Sequence, residues 1–311
     1  RTGLEGNRGT LNSAMKMAPT IPVYDENGDY LPNDFPGAQG NENPLAYANE
    51  VLDNTILNNV LANLTFKITP LKDLDISVKL GTNVKRQQNN YYLSSETIEG
   101  GKVNGQATIT NASTDYWINE NIISYKKEIN KHRFSAMGGF TMEENIWEQN
   151  MITATGIPTD AFSYTGVGSA ETIGMPTVYK TRTALMSFLG RATYNYADVY
   201  LLTLTDRMDG NSGFSLGNKW GNFPSVSAAW RISQEKFMKN IDFLDNLKIR
   251  AGWGITGNSR IGSYRSLCLL TNSRYVLGDN TVAGIGPNKI GNADLRWEST
   301  EMYNLGLDVA L

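Results

Sequence analysis

Apolar and polar positions alternate with period two along most of this chain. Leu64, Phe66 and Ile68 alternate with Thr65 and Lys67, and after PLKDL (70–74) Ile76, Val78, Leu80, Thr82 and Val84 alternate with Ser77, Lys79, Gly81 and Asn83. Phe134, Ala136, Gly138, Phe140 and Met142 oppose Ser135, Gly139, Thr141 and Glu143. Met186, Phe188, Ala192, Tyr194 and Tyr196 oppose Ser187, Arg191, Thr193 and Asn195. Leu202 and Leu204 oppose Thr203, Thr205 and Arg207, and Val226, Ala228 and Trp230 oppose Ser225, Ser227 and Arg231. Leu247, Ile249, Ala251, Trp253 and Ile255 oppose Lys248, Arg250, Gly252, Gly254 and Thr256, and Tyr303, Leu305, Leu307 and Val309 close the chain. Successive side chains of a strand point to opposite faces, so this pattern predicts strands with one apolar and one polar side. With a less regular strand near 116–127, about nine are predicted, each long enough for the roughly 9–11 residues that cross a bilayer.

The predicted connections are asymmetric. Short turns fall at PLKDL (70–74), EINKH (128–132) and the Ala197–Asp198 corner, and long polar stretches at 89–106, 147–178, 208–219 and 257–296. Short turns at one end and long loops at the other characterise an outer-membrane barrel, whereas a sandwich mixes both. The connection at 232–246 is longer, and Phe237, Met238, Ile241 and Leu244 recur at near-helical spacing, which predicts a short helix there. Tyr125, Phe134, Tyr194, Tyr196, Tyr200 and Trp230 lie beside the short turns, where amphipathic rings suit an interfacial girdle. Residues 1–53 are rich in Pro, Gly and Asn and read as an extracellular loop region, with 54–311 as a central barrel segment.

Composition narrows the chemistry. A net charge of −3 with 19% charged residues offers no basic face for nucleic acid. One cysteine excludes an internal disulfide framework, and one histidine argues against a histidine-based metal site or triad. No stretch approaches the roughly 18–20 apolar residues of a membrane-spanning helix. The opening RTGLEGNRGT has neither the basic region nor the apolar core of a signal peptide, which for an exported protein implies a fragment or a processed chain.

The remaining motifs carry no catalysis. Gly252, Gly254 and Gly257 match G-x-G-x-x-G, but polar, loop-like residues follow where a dinucleotide site needs a helix; glycines that relieve crowding in a curved sheet are the plainer reading. Asp25, Asn27 and Asp29 resemble the start of a calcium loop, yet Tyr30 and Pro36 stand where an EF-hand needs Gly and Glu. A looser calcium ion in an extracellular loop is the one cofactor left open. His132 reads as a solvated turn residue, and Cys268, in SLCLL, as a packed thiol. Glu143 and Glu144 are adjacent and face opposite sides of their strand. The chain is not expected to be an enzyme.

The cations are more informative. Lys67, Lys79, Arg191, Arg207, Arg231, Lys248 and Arg250 all fall on the polar side of their strands. Mid-depth on a lipid face each would cost roughly 2–4 kcal/mol. They are therefore expected to face a wet lumen, with Trp230 toward lipid and Arg231 inward. A soluble all-β binding or adhesion module with one hydrated face gives the same alternation; loop asymmetry and the girdle favour the barrel.

Three runs carry a family resemblance: YADVYLLTLTDRMDGNSGF (196–214), WGNFPSVSAAWRISQEKFMKN (220–240) and FLDNLKIRAGWGITGNSRIGSY (243–264). Their succession resembles the SusC/RagA family of TonB-dependent outer-membrane transporters. VYDENGDY, PLKDLDISVKLGTN and LRWESTEMYNLGLDVAL extend the likeness over nearly the whole chain. One family position has drifted, where Thr205–Asp206–Arg207–Met208–Asp209 stands in place of a Thr-Gly-Arg-Asp-Gly-like run. The resemblance implies an all-β fold, an antiparallel transmembrane β-barrel of roughly 22 strands of which this chain is a middle part. The plug, the TonB box and the closing strand would lie outside it. It implies residence in the bacterial outer membrane of Bacteroidota, among its lipids, and energy from TonB–ExbB–ExbD through the N-terminal part. It also implies a SusD-like surface lipoprotein as lid and a glycan or peptide as cargo. Trp147, Tyr164, Arg260, Tyr264 and Tyr275, in the long connections, are the candidate substrate contacts.

Overall fold

The structure, a computed structural model, describes residues 8–32, 42–238 and 243–311. Four long strands open the sheet: β1 (Val51–Leu71), β2 (Leu74–Leu93), β3 (Gln106–Ile129) and β4 (His132–Thr155). After the two-residue β5 (Thr172–Ile173) come β6 (Thr177–Tyr196), β7 (Tyr200–Asn211), β8 (Trp220–Asn222) and β9 (Ser225–Arg231). The last four are β10 (Asn246–Asn258), β11 (Leu269–Leu277), β12 (Asn280–Lys289) and β13 (Glu298–Ala310). Nine strands form one path in chain order, β1-β2-β3-β4-β6-β7-β9-β10-β13, with β5 beside β4 and β8 beside β7. The strand pairs β11 and β12 form a separate hairpin. Among the described residues no helix is long and apolar enough to cross a membrane, which says nothing of strands.

Period two locates the nine strands because each has one apolar and one polar side. It fails at their far ends. β2 and β4, 20 and 24 residues long, run into the stretches 89–106 and 147–178 expected to be loops, and β3, also 24 residues long, begins ten residues before the strand expected near 116–127. Gln87, Gln88, Asn89 and Asn90, or Glu148, Gln149 and Asn150, are polar on both sides, so no alternation marks them. The backbone ladder continues regardless, since its hydrogen bonds do not depend on side-chain polarity. At the other end the expected short turns stand. The Val199 N–H donates to the Tyr196 carbonyl at 2.9 Å, and Ala197 (φ 55°) and Asp198 (φ 59°) are both left-handed, as a type I′ hairpin turn requires.

Two other expectations change. Residues 1–53 are not loop throughout: they hold helices α1 (Arg8–Lys16) and α2 (Pro44–Glu50), and β1 begins at Val51. Buried Asn43 caps α2 through its side-chain oxygen, accepting from Leu45 N (2.9 Å), while its Nδ2 donates to the Val23 and Leu31 carbonyls. In place of a helix at 232–246 there are two single 3-10 turns, Ile232–Gln234 and Lys236–Met238; Ile241 lies outside the described residues. Glu235, between them, is tied back to strand aromatics, which holds the segment against the sheet.

The chain divides into two compact units: Arg1–Val60, Asn83–Asp115 and Ile146–Thr181 in one, Leu61–Thr82, Tyr116–Asn145 and Arg182–Leu311 in the other. The first unit has a small core of Tyr92, Ala107 and Ile157, packed by Leu52, Tyr164, Val167 and Ala170. Beside it Asp160 accepts from Ser95 N (3.0 Å), Ser95 Oγ (2.6 Å) and Tyr92 Oη. Burial alone would raise the Asp160 carboxyl; the Ser95 and Tyr92 donors outweigh it and hold it below its usual range. In the second unit the apolar side of the sheet is uncovered. Phe66, Leu204 and Leu307 are 57%, 47% and 61% exposed. No second layer packs on them among the described residues, unlike the inner faces of a sandwich.

Candidate functional site

The register of the second unit assigns every position to a face. Directly paired residues on neighbouring antiparallel strands share a side. Arg191 pairs with Thr205, Thr205 with Ser225, and Ser225 with Gly254. Arg207 therefore lies on the Arg191 side, as do Arg231, paired with Lys248, and Arg250, paired with Ala229. Contacts extend this face to the first strands. A Cβ on Gly139 would touch both Ile122 and Leu189, which links β3, β4 and β6. The ion pairs Lys79–Glu120 (2.9 Å) and Lys67–Asp75 (3.2 Å) link β3, β2 and β1. All seven cations share one polar face. Arg207 binds Asp209 (2.8 Å), two positions along its own strand, whereas Lys248 (2.9 Å) and Arg250 (3.3 Å) share Asp308, a partner that the β10–β13 register and not sequence spacing supplies.

The opposite face carries a ribbon of rings near the short turns. Phe134 stacks on Tyr194 (4.9 Å), Tyr196 on Tyr200 (6.3 Å) and Tyr200 on Trp230 (6.4 Å). His132 belongs to this ribbon and is not a solvated turn residue. Its Nδ1 shares a 2.8 Å hydrogen bond with Tyr194 Oη, and its ring lies 4.8 Å from Tyr196. The polar tips of these rings end on a carboxylate, since Tyr200 Oη (2.6 Å) and Trp230 Nε1 (3.1 Å) both donate to Glu235 Oε1. Toward the long-loop end the arrangement recurs. Trp253 Nε1 and Tyr303 Oη donate to Glu301 at 2.7 Å each, and Trp117 Nε1 donates to Glu144 at 3.0 Å. An apolar band bounded on both sides by indole N–H groups on carboxylates is what a membrane-facing wall needs, with ring bodies dry and tips wet.

The turns are tied to one another. Arg133 grips Asp198 through both guanidinium arms (2.7 and 2.8 Å), and Asn195 Nδ2 also donates to Asp198 (2.8 Å). The Asn195 amide and then the Arg133 charge hold the exposed Asp198 carboxyl below its usual value. A depressed folded value contributes stability above the unfolded pKa and loses it as pH falls through the folded one. The urea midpoint of the wild type is thus expected to exceed that of Asp198→Asn at pH 7, with the gap closing below about pH 4. A gap independent of pH would remove this role from Asp198.

Trp147 and Tyr164 belong to the first unit, and Arg260, Tyr264 and Tyr275 to the second. No hydrogen bond or ring contact joins any two of them among the described residues. Trp147 is half-buried on β4, and Tyr164 packs against the core of the first unit. Tyr264, at φ 60°, accepts the Arg182 backbone N–H (3.1 Å) and so fastens its loop to β6. Arg260 is exposed. Tyr275 is 49% exposed, and its ring fills the space where Gly284 would carry a Cβ. Cys268 is exposed, not packed: SLCLL leads into the β11–β12 hairpin, a two-stranded sheet separate from the long one. At DENGD, Asp25 Oδ1 accepts from Asn27 N (2.8 Å) and Asp29 N (2.9 Å), so this carboxylate closes its own turn.

Comparison with known proteins gives the wall a family. No protein-family model matches the chain. TonB-dependent receptor P3 of Formosa agariphila is 31% identical over 311 residues, 100% of this chain and 31% of the relative. TonB-dependent receptor SusC of Bacteroides thetaiotaomicron is 32% identical over 327 residues, 96% of this chain and 32% of the relative. The RagAB peptide transporter superposes with a TM-score of 0.79 at 22% identity, covering 92% of this chain and 32% of that one, and this likeness shows the fold. The chain belongs with the SusC/RagA-like TonB-dependent receptors. It spans about a third of the length of these curated relatives, and its fold is that of part of an all-β barrel. Those relatives are receptors and transporters, not enzymes.

The motifs of the SusC/RagA resemblance meet in space. Trp297 of LRWES lies 5.1 Å from Phe214 of NSGF and 5.2 Å from Phe223 of NFPS. Its Nε1 donates to the Lys219 carbonyl (2.9 Å). The Phe223 ring fills the space where Gly257 of GWGITG would carry a Cβ and crowds Gly221 likewise. The glycine spacing that imitates a nucleotide loop is therefore set in part by one phenylalanine. Sequence reasoning missed this cluster because its members lie some 80 residues apart, the Trp297–Lys219 separation being 78.

Proposed function

We propose that this chain is part of the wall of an outer-membrane importer energised by TonB. The observation that carries the reading is the division of the second unit into two faces, seven cations on one and an exposed apolar band edged by aromatic rings on the other. In this reading the apolar band touches lipid and the polar face lines the transport route. Residues 1–53 and the long connections stand outside the cell, and 54–311 supply the central wall. TonB–ExbB–ExbD would act through parts of such receptors that this chain does not span. A SusD-like lipoprotein would close the outer end, and the cargo would be a glycan or a peptide. Tyr275 and Arg260, both exposed, are the best placed of the loop candidates to meet cargo.

The test uses the full-length receptor in its host. Growth on oligosaccharide or peptide mixtures as sole carbon source should require the receptor, and receptor-dependent uptake should vanish when TonB is deleted. Uptake indifferent to TonB would overturn the reading. So would a full-length protein that stays folded and monomeric without detergent, which favours a binding or adhesion module.

A further inference from the structure

The polar face is electrically uneven. On β1 and β2 each lysine meets a carboxylate of a neighbouring strand, Lys67 with Asp75 and Lys79 with Glu120. On β6 to β10 the matching fails. Arg191 reaches only Thr205 Oγ1, at 3.2 Å, and Arg231 makes no ion pair among the described residues. Lys248 and Arg250 share the single carboxylate of Asp308; Arg207 alone has a carboxylate, Asp209, to itself. The one other acid at a polar position of these strands and β13 is Glu298, at the far end of β13, where it accepts from Asn258 Nδ2 (2.8 Å). Five cations thus face three carboxylates, and the surplus sits on Arg191, which is exposed, and Arg231, which is half-buried.

The placement of the surplus has a length. Arg231 lies opposite Lys248, with Arg250 two positions along. Arg191 shares its row with Ser225, six positions from Arg231, which is roughly 20 Å along the sheet. Guanidinium groups bind carboxylate and sulfate through paired hydrogen bonds. Among the described residues Arg191 holds only the Thr205 hydroxyl, and the one carboxylate whose charge reaches Arg231, that of Asp198 in the neighbouring turn, is already gripped by Arg133. We infer that this half of the polar face is an anion track, which takes extended cargo bearing repeated carboxylate or sulfate groups, the chemistry shared by acidic oligosaccharides and acidic peptides. The inference rests on the reading that the polar face lines the transport route.

Binding to the detergent-purified full-length receptor tests it with hexagalacturonate and hexaglutamate, against maltohexaose and hexaglutamine as neutral counterparts; an extended hexapeptide spans about 20 Å. At least one acidic probe should bind about tenfold more tightly than its neutral counterpart. Whichever acidic probe shows the preference names the source. In an Arg191→Gln, Arg231→Gln double variant that ratio should fall toward one, and in the Arg191→Lys, Arg231→Lys variant, which keeps the charge, it should persist. Equal affinities in the wild type would overturn the anion track. So would a ratio that the glutamine variant leaves unmoved, or a loss of both probes in parallel, which marks the arginines as contacts of the receptor's own chain. Binding in detergent needs neither TonB nor a proton gradient, so a ratio of one leaves the import reading standing, and TonB-independent uptake leaves the ratio untouched.

Discussion

Leu204→Arg is expected to destabilise the full-length receptor in lipid vesicles by about 2–4 kcal/mol, while Thr203→Arg, one residue earlier, costs little. The two positions differ only in the face they occupy. Thr203 pairs with Thr193 and Ser227, on the side of Arg191 and Arg207. Leu204 pairs with Ala192 and Val226, four positions along β7 from the Tyr200–Trp230 stack. At about 3.3 Å per residue that is roughly 13 Å along a tilted strand, near the middle of an apolar band about 25 Å tall. A guanidinium there leaves water for hydrocarbon, whereas at 203 it joins other cations on a hydrated wall. Urea unfolding of both variants reads the difference. Equal costs would mean that neither face meets lipid, and the assignment of the two sides would fall with them.

The same contrast explains how much of the protein is legible in its sequence. Alternation reveals a strand only where its two sides meet different solvents, as at Leu202-Thr203-Leu204 or Ala228-Ala229-Trp230-Arg231. Where both sides are polar, as at 86–90 on β2 and 148–150 on β4, strand and loop have the same composition, and the strands run past their visible ends. The β11–β12 hairpin hid for a related reason. Its turn at Gly278 (φ 61°) is an ordinary hairpin signal, but its strands lack a consistent apolar side. For the site, parity along each strand is enough to place the seven cations on one side, since a shift of one residue would reverse every side chain. What parity omits is who stands opposite. Asp308 lies 58 to 60 residues from Arg250 and Lys248, and only the β10–β13 register brings them together. Residue type alone points to the aromatic loop candidates, and type does not tell a ring that supports its loop, as Tyr164 and Tyr264 do, from a half-exposed one, as at Tyr275.

Phe214→Ala should cost about 3–5 kcal/mol, a loss comparable with removing any large core ring. Only 1% of Phe214 is exposed, in a protein whose sheet otherwise leaves large side chains uncovered, so the site has few neighbours able to relax into the gap. Its ring supports Trp297, whose indole fixes the Lys219 carbonyl and abuts Phe223. Deleting it removes the aromatic support from a junction otherwise held by the hydrogen bonds of Ser215 to the Leu295 carbonyl and of Trp297 to the Lys219 carbonyl. Gly257→Ala approaches the cluster from the other side, pushing a methyl into the Phe223 ring, and overpacking of this kind costs about 1–3 kcal/mol. Because both changes act through Phe223 and Trp297, the double variant should be less destabilised than the sum of the two, as neighbours sharing a partner are. Urea midpoints of the two single variants and the double variant measure this directly. Strict additivity would separate Gly257 from the aromatic cluster, and a Phe214→Ala loss below about 1 kcal/mol would show that the cluster does not hold these loops.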